Sequence, residues 1–471
     1  MKIAIIGTGI SGLTCAHYLH EDHDLTIYEA NDYIGGHTAT VDVEVDSGRY
    51  AIDTGFIVYN DRTYPHFISL MSDIGVVGQP TEMSFSVHNA ENGLEYNGHN
   101  LWSLFAQKRN LVNPRFYLFI NEILRFNRLA IALNLPDTEI NSGTHRDATN
   151  AQPFTANTQT PEPLSLGAFL QHHGFSNYFC ENYILPMGAA IWSSSLSDMC
   201  DFPLAFFIRF FRNHGLLEVT NRPQWYVIPG GSREYVKKLT APFRDHIRLS
   251  TPVDEVRRTH RKVAITSQGI TEIYDHVIFA CHSDQALRLL ADPSPEEQDI
   301  LGAMEYQLND VVLHTDHTIL PKAKAAWASW NYHLPSNEDG QRDKRLASVT
   351  YNMNILQGVQ APETFCVTLN QSDLIKPDLV LRRFEYAHPV FTTESIAAQK
   401  QRSQINGHRE TWFCGAYWYN GFHEDGVRSA LDVVQGIKSQ LAATEVSGND
   451  NIVGNAIGEA HQPQSFISRE S

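Results

Sequence analysis

The sequence predicts an α/β fold built around a parallel sheet. Short, almost wholly apolar runs, typical of strands buried on both faces, occur at residues 2–6 and 277–280. A run with helical spacing, residues 12–20, separates the first of these from another apolar run at 25–28. A strand, a helix and a strand within about 30 residues form a βαβ unit, the building block of parallel sheets.

The turn after the first strand carries a nucleotide-binding motif. Residues 7–12 read Gly-Thr-Gly-Ile-Ser-Gly, a GxGxxG sequence between a strand and a helix. The first glycine allows a tight turn, the second lets the backbone approach a pyrophosphate, and the third allows close helix–strand packing. Glu29 ends the second strand, at the spacing expected of an acid that binds ribose hydroxyls. The motif therefore predicts a Rossmann-type dinucleotide-binding domain.

Length and composition exclude several classes of protein. A chain of 471 residues favours two or three domains at roughly 150 residues each. Hydrophobic residues at 42% exclude global disorder, and a net charge of −17 argues against nucleic acid as a partner. No apolar run reaches the roughly 18 residues of a membrane span, and no signal-peptide core follows the first residues. The six cysteines show no metal-ligand spacing, so we expect no metal and a soluble, cytoplasmic protein.

The remaining chain continues the α/β pattern. An amphipathic helix is predicted after Pro114, and residues 164–221 are predicted to be helical. A last helix is expected at about 426–441. Further strands are predicted at 225–228, 253–265, 311–313, 346–351, 365–369 and 412–414.

These elements suggest a discontinuous nucleotide-binding domain and an inserted α+β substrate domain. The first would comprise residues 1–90, 222–300 and 405–442, and the second residues 91–221 and 301–404. The polar composition of 137–163 and 444–471 predicts a disordered insert and a flexible tail.

A second glycine pair follows the first motif. Residues 33–38 read Tyr-Ile-Gly-Gly-His-Thr, which would let another loop approach the same phosphates. Together, these motifs resemble the flavin-containing amine oxidase superfamily, whose N-terminus combines GxGxxG, an acid and a Gly-Gly-Arg step. The resemblance extends to the Pro-Gly-Gly turn at 229–231, the strand at 277–280 and the strand–loop–helix at 413–426. It implies non-covalent FAD, with the helix start at 424–427 facing the flavin.

The motifs and the resemblance assign residues to two roles. Those assigned to FAD are Gly7, Gly9, Ile10, Ser11, Gly12, Glu29, Ala30, Gly35, Gly36, His37, Thr38, Gly55, Phe56, Ile57, Val253, Gly415, Phe422, Glu424, Asp425, Gly426 and Val427. Those assigned to the substrate are Tyr59, Trp192, Tyr417 and Tyr419. For Tyr59 and Trp192, a role in the pocket and a role in the core both stay open. His423 is the candidate catalytic residue, because imidazole beside a flavin titrates near neutral pH and shuttles protons. The other interpretation of His423 is a helix-cap or structural role.

The chain departs from the superfamily in the region of its substrate chemistry. The family places a lysine near the flavin, but no lysine occurs between Glu296 and Pro321. His37 replaces the arginine of the Gly-Gly-Arg step, Ala416 replaces a glutamate, and Phe422 aligns with a tyrosine of the family's aromatic cage. These departures argue against amine oxidation.

Three segments resemble a particular subgroup of the superfamily, which is associated with lipid metabolism. Residues 53–60, 186–192 and 421–426 resemble bacterial proteins described as predicted NAD/FAD-binding proteins, which are similar to the flavoprotein-like extension of plant cyclopropane fatty acid synthases. We therefore predict an FAD-dependent oxidoreductase that transfers hydride from a hydrophobic substrate, with a fatty-acyl chain as the candidate. The alternatives are an amine or amino-acid oxidase, a redox-neutral fatty acid double-bond isomerase, and a non-catalytic flavoprotein partner of a lipid-modifying enzyme.

A basic and aromatic stretch stands out in this acidic chain. Between residues 101 and 130, five basic residues and six aromatic residues accompany one acid, Glu122. Such mixtures suit an anionic membrane surface, here the inner membrane face. The interpretation that we favour is that these residues form core faces of substrate-domain helices with solvated arginines. The apolar run 202–211 is a candidate lining for an acyl chain.

Overall fold

The computed structural model describes residues 1–133, 165–218 and 221–456, with side chains described up to residue 443. In these residues the strands are β1 Lys2–Ile6, β2 Asp24–Tyr28, β3 Thr40–Val45, β4 Gly48–Asp53, β5 Val58–Asn60, β6 Gln79–Thr81, β7 Phe85–Asn89, β8 Leu94–Asn97, β9 Trp225–Val227, β10 Ile247–Arg248, β11 Val253–Thr259, β12 Lys262–Ser267, β13 Ile270–Tyr274, β14 His276–Phe279, β15 Tyr306–His314, β16 Trp330–Leu334, β17 Ser348–Asn352, β18 Cys366–Leu369, β19 Val380–Pro389 and β20 Thr411–Phe413. The α-helices are α1 Ile10–Leu19, α2 Pro65–Asp73, α3 Leu101–Leu104, α4 Pro114–Ala132, α5 Leu166–His172, α6 Asn177–Phe179, α7 Leu185–Trp192, α8 Leu196–Asp201, α9 Leu204–Asn213, α10 Arg233–Thr240, α11 Ser283–Leu289, α12 Pro295–Gly302, α13 Met353–Leu356, α14 Thr393–Gln399 and α15 His423–Ala456.

A five-stranded parallel sheet carries the predicted βαβ unit. Its strand order is β10-β2-β1-β14-β20, and the neighbouring strands pair in parallel. Because side chains alternate along β1, Ile3 and Ile5 pack with α1 and α15, whereas Ala4 and Ile6 pack towards the sheet β11-β12-β13. Both faces are therefore covered, which explains the apolar strand sequences and confirms the predicted α/β fold.

A seven-stranded mixed sheet forms the second large unit. Its strand order is β19-β15-β18-β17-β16-β7-β8, in which β16 and β7 are parallel and the other neighbours antiparallel. Helices α4 to α9 share one large aromatic core with it. The domain division stays a prediction, although β7 pairs into this sheet while lying before the predicted boundary at residue 90.

Helix α15 begins at His423, near the predicted start, and extends beyond the predicted end at residue 441 to Ala456. The flexible tail from residue 444 stays a prediction. Residues 457–471 and the predicted insert 137–163 lie outside the described residues. Among the described helices, none is long and apolar enough to cross a membrane.

Candidate functional site

The carboxyl ends of four parallel strands meet at one edge of the five-stranded sheet. The glycine turn 7–12 follows β1, and Glu29 follows β2. Residues 280–282 follow β14, and residues 414–415 follow β20. Ligands of open α/β sheets bind at this edge. The predicted nucleotide motifs therefore lie together where such a ligand is expected.

The glycines of the first turn have different surroundings. A Cβ on Gly12 would lie 2.1 Å from the Gly7 carbonyl oxygen, and a Cβ on Gly7 would lie 2.9 Å from the Ala280 carbonyl oxygen. A Cβ on Gly9 would meet no atom within 4 Å. Gly7 and Gly12 are thus required by the packing of the chain, whereas Gly9 borders open space, as a close pyrophosphate requires.

The second glycine pair lies against the first turn. A Cβ on Gly36, whose φ is +56°, would lie 3.4 Å from the Gly9 Cα. A Cβ on Gly55 would lie 2.1 Å from the His37 carbonyl oxygen, which also accepts a hydrogen bond from the Phe56 N–H at 2.8 Å. The segments at 35–38 and 54–57 therefore form successive layers beside the glycine turn.

Glu29 is buried and binds the glycine turn. Its Oε2 accepts hydrogen bonds from the Thr8 N–H at 3.0 Å and from the Thr8 hydroxyl. Its Oε1 accepts from the Asn31 N–H at 2.9 Å. The Thr251 N–H donates to the Glu29 carbonyl oxygen at 2.8 Å, which brings the segment leading to Val253 alongside. Glu29 thus fixes the turn, and its role towards a ribose stays a prediction.

The two ends of the chain meet where α1 contacts α15. The Ser11 hydroxyl donates to the Gly426 carbonyl oxygen at 2.9 Å. A Cβ on Gly426 would lie 2.7 Å from the Ile10 Cγ2, so only glycine allows this approach without a shift. The Gly415 N–H donates to the Ser429 hydroxyl at 2.9 Å, which ties the loop after β20 to the same helix. The opening and closing motifs therefore border one site.

His423 begins α15 among aromatic rings. Its ring stacks on Phe56, with centroids 3.6 Å apart and planes 8° apart. Its Nε2 lies 2.7 Å from the Tyr235 hydroxyl, which lies 2.7 Å from the Thr38 hydroxyl. Burial, followed by the proximity of His37, lowers the pKa of His423 to about 3, and burial raises the pKa of Tyr235. The His423 imidazole is therefore neutral and shares a hydrogen bond with the Tyr235 hydroxyl.

The expectation that His423 titrates near neutral pH is thus wrong, because burial among rings disfavours the charged form. The neutral ring carries one proton, so it donates a hydrogen bond at one nitrogen and accepts at the other. Its catalytic role stays a prediction, as a neutral hydrogen-bonding group.

The two acids in the first turn of α15 bind backbone groups. Glu424 accepts from the N–H groups of His66 at 3.0 Å and Phe67 at 2.8 Å, at the start of α2. Asp425 accepts from the Phe422 N–H at 2.8 Å, and burial raises the pKa of Asp425 to about 7. Both carboxyl groups hold the bend 421–426 in place. A contribution of this bend to cofactor binding is therefore expected from backbone N–H groups and the helix dipole.

Three histidines and a tyrosine cluster beside the second glycine pair. The His37 ring centroid lies 5.1 Å from that of Tyr386, 5.7 Å from that of His388 and 6.1 Å from that of His282. Burial lowers the pKa of His37 to about 3 and that of His388 to about 4, so both rings are neutral at pH 7. The buried His37 Nε2 bonds to no other described residue. Such an atom suits a hydrogen bond with a bound molecule.

Sequence reasoning missed three members of this cluster. His282 follows the end of β14 directly, and that position at a strand end is a signal that points to it. Tyr386 and His388 lie on β19, and only the pairing of β19 with β15 brings them to the site. On β15, the strand that lacks the family's lysine, the Asn309 Nδ2 lies 3.3 Å from the His388 Nδ1.

The predicted substrate residues lie in different surroundings. Tyr59 stacks on Tyr226 with centroids 5.6 Å apart, within the core beside α1 and α2. Tyr417 is buried, and its hydroxyl bonds to nothing in the part of the chain that the structure describes. The Tyr419 hydroxyl donates to Asp432 at 2.6 Å. Tyr59 therefore belongs to a different hydrophobic cluster from Tyr417 and Tyr419, and a substrate role for the three stays a prediction.

Trp192, the fourth predicted substrate residue, belongs to a continuous set of rings that we name the aromatic wall. Its members are Trp192, Phe202, Phe206, Phe210, Phe391 and Phe422. Phe210 lies 4.9 Å from Trp192 and stacks on Phe422 at 4.9 Å, with planes 24° apart. The wall thus runs from α7 and α9 to the bend 421–426.

The remaining residues assigned to FAD differ in their exposure. Ala30 is exposed beside Glu29, whereas Ile57 and Val427 are buried in hydrophobic cores. The open space at Gly9, the unsatisfied nitrogen of His37 and two helix N-termini at one sheet edge together fit a bound dinucleotide. Which side chains touch it stays a prediction.

Comparison with known proteins agrees with this fold. The family model described as flavin containing amine oxidoreductase matches residues 10–358. Cyclohexylamine oxidase from Brevibacterium oxydans IH-35A is 14% identical, with a TM-score of 0.63 over 94% of this chain and 99% of its own. A CLA-producing fatty acid isomerase from P. acnes is 15% identical, with a TM-score of 0.61 over 92% and 97%. Identities this low show the fold alone. No curated protein matches.

Proposed function

Because the chain belongs to the flavin-containing amine oxidoreductase family, whose members bind FAD, we propose that it oxidises a hydrophobic, fatty-acyl substrate. When bound, FAD supplies a hydride acceptor for an activated C–H bond. The glycine turn 7–12 and Glu29 would hold its nucleotide half. The backbone of the bend 421–426 and the N-terminus of α15 would hold the flavin end.

The aromatic wall is the observation that carries the substrate class. It ends at Phe422, next to His423 and the expected flavin position. None of its members carries a charge, and each buried CH₂ group of a ligand contributes about 0.8 kcal/mol to binding. We therefore propose that an alkyl chain binds along the wall, where it would gain affinity that a short polar amine would not.

The polar groups of the site would orient the substrate, and none of them would act as a base that removes a proton. Tyr235 holds the neutral His423, and the His388 ring is held by the Ser193 hydroxyl at 2.9 Å. Hydride transfer depends on geometry and on the exclusion of water more than on a strong base. Neutral rings around a buried site meet those two requirements, and they supply a hydrogen-bond donor for a substrate carbonyl or carboxylate.

Two alternatives use the same site. Amine oxidation loses support because β15, the strand on which the family's lysine is expected, carries Asn309 beside His388 instead. Redox-neutral isomerisation of a fatty acid double bond would use the same site, and a fatty acid isomerase is among the proteins that share this fold. The resemblance of segments 53–60, 186–192 and 421–426 to a flavoprotein extension of lipid enzymes supports an acyl chain in either reaction.

A substrate panel distinguishes these reactions. The flavin-loaded enzyme is mixed without oxygen with saturated and unsaturated fatty acids of increasing chain length, and separately with primary amines. We expect fatty acids to bleach the flavin absorbance, with an apparent affinity that rises with chain length. Bleaching by amines alone would contradict the proposal, and so would a shifted double bond without flavin reduction or acceptor consumption.

A matched pair of variants tests the aromatic wall in the same assay. Phe206→Leu shortens a ring that stacks on Phe391 at 5.2 Å, and it is expected to raise KM for long chains about fivefold. Phe179→Leu makes the same change in the same core, away from the wall, and is expected to leave KM unchanged. Equal KM effects in both variants would show that the aromatic wall does not bind the substrate.

A further inference from the structure

The segment that contains α3, α4 and the turn between them exposes an unusual number of large apolar side chains. We name this surface the outer face, formed by Leu101, Trp102, Leu111, Val112, Tyr117, Leu118, Leu124 and Ile131. It holds more than half of the exposed large apolar residues in the described part of the chain. Trp102 is 79% exposed and Val112 is 84% exposed. Leu111, Val112, Tyr117 and Leu118 line one shared depression of this surface, and exposed apolar surface of this kind marks an interaction site.

Helix α4 has two apolar faces with different roles. Phe116, Phe119 and Phe126 are fully buried in the core that also contains the aromatic wall. Tyr117, Leu124 and Ile131 recur every seven residues along another side of the helix and are 49%, 43% and 54% exposed. The core interpretation of this stretch therefore holds for the phenylalanines, but packing within the described residues leaves the outer face exposed.

Basic residues surround the outer face. Lys108, Arg109, Arg115 and Arg128 are exposed in the same segment. The one acid, Glu122, is engaged with Ser176, accepting from its N–H at 2.8 Å and from its hydroxyl at 2.6 Å. The whole chain carries a net charge of −17, so the charge of this segment is opposite in sign to that of the chain as a whole.

We propose that the outer face binds the surface of an anionic phospholipid bilayer. The apolar side chains would enter the boundary between head groups and acyl chains, where the amphipathic ring of Trp102 is well suited. The basic side chains would attract the lipid phosphates, while the acidic remainder of the protein is repelled. Such contact is peripheral, and it would place the helices that carry the aromatic wall at the membrane. The proposal does not depend on which reaction the site catalyses.

Vesicle sedimentation tests the proposal with the full-length, flavin-loaded protein. The vesicles are phosphatidylcholine alone, or phosphatidylcholine with phosphatidylglycerol. We expect the protein to pellet with the anionic vesicles and to be released by high salt. Trp102→Ser/Val112→Ser/Leu118→Ser is expected to lower the partition coefficient at least about tenfold. Ile270→Ser/Ile273→Ser, which alters exposed apolar residues of β13, is the matched control and is expected to bind like the wild type.

Flavin content and melting temperature of each variant are measured alongside, so that misfolding is separated from lost binding. Lys108→Glu/Arg109→Glu is expected to abolish the preference for anionic vesicles while leaving both values unchanged. The proposal is overturned if the wild type stays in the supernatant, or if the triple variant pellets as well as the wild type. It is also overturned if the triple variant only converts a dimer into a monomer, because the face would then bind a second copy.

Discussion

Replacing Gly9 with valine is expected to abolish FAD binding while the protein stays folded. A Cβ at this position meets no atom of the chain within 4 Å, and the backbone is extended there, with φ −62° and ψ 173°. The fold therefore tolerates the side chain, apart from a helix-cap cost of about 1 kcal/mol or less. The isopropyl group would instead occupy the space that the motif reserves for the pyrophosphate.

We expect Gly9→Val to raise the FAD Kd at least about 100-fold, which corresponds to about 2.8 kcal/mol. Fluorescence titration of the flavin-free protein measures the Kd, and circular dichroism measures folding. Gly98→Val is the control, because a Cβ on Gly98 also meets no atom within 4 Å, at a site outside the sheet edge. Unchanged FAD affinity in Gly9→Val would exclude the glycine turn as the phosphate site.

The largest effect on stability is expected at the buried ion pair that anchors β11 behind the parallel sheet. The Arg258 guanidinium donates to both Glu297 oxygens, at 2.7 Å and 2.8 Å, and the side chains are 1% and 3% exposed. Glu297→Gln removes the charge but keeps the shape, which leaves a buried guanidinium with Asp292 as its remaining acid. We expect the free energy of unfolding to fall by about 3 kcal/mol.

Urea denaturation measures this loss, and the chain offers a control on the same strand. Glu255 and Arg257 form an exposed pair at 3.0 Å, with side chains 44% and 54% exposed. Glu255→Gln is expected to cost less than about 1 kcal/mol, because water already screens this pair. The double variant Arg258→Met/Glu297→Met is expected to recover most of the loss, since no buried charge remains. Equal losses in Glu297→Gln and Glu255→Gln would contradict the account.

Local sequence patterns predict the βαβ unit and the glycine turns of this fold. The βαβ unit was predicted from one stretch of about 30 residues, because strands buried on both faces leave apolar runs and a GxGxxG turn joins strand to helix. The prediction that the two ends of the chain border one site is supported by the hydrogen bond from Ser11 to Gly426. These inferences rest on backbone requirements that glycine spacing records directly.

Residue roles that depend on contacts between distant segments could not be predicted from the sequence. The sequence places Glu424 at the helix start that is expected to face the flavin. Its carboxylate instead binds the start of α2, about 360 residues away along the chain. The pKa of His423 depends on burial among Phe56, Tyr235 and His37, none of which is its neighbour in sequence. His388 joins the site only through the register of β19 against β15.

The most direct test of the central claim is a crystal structure of the protein grown with FAD. We expect the pyrophosphate against the Gly9 turn and the flavin ring beside the bend 421–426, within reach of His37 and His423. A flavin ring bound away from that bend, or FAD phosphates bound away from the glycine turn, would contradict the proposed FAD site.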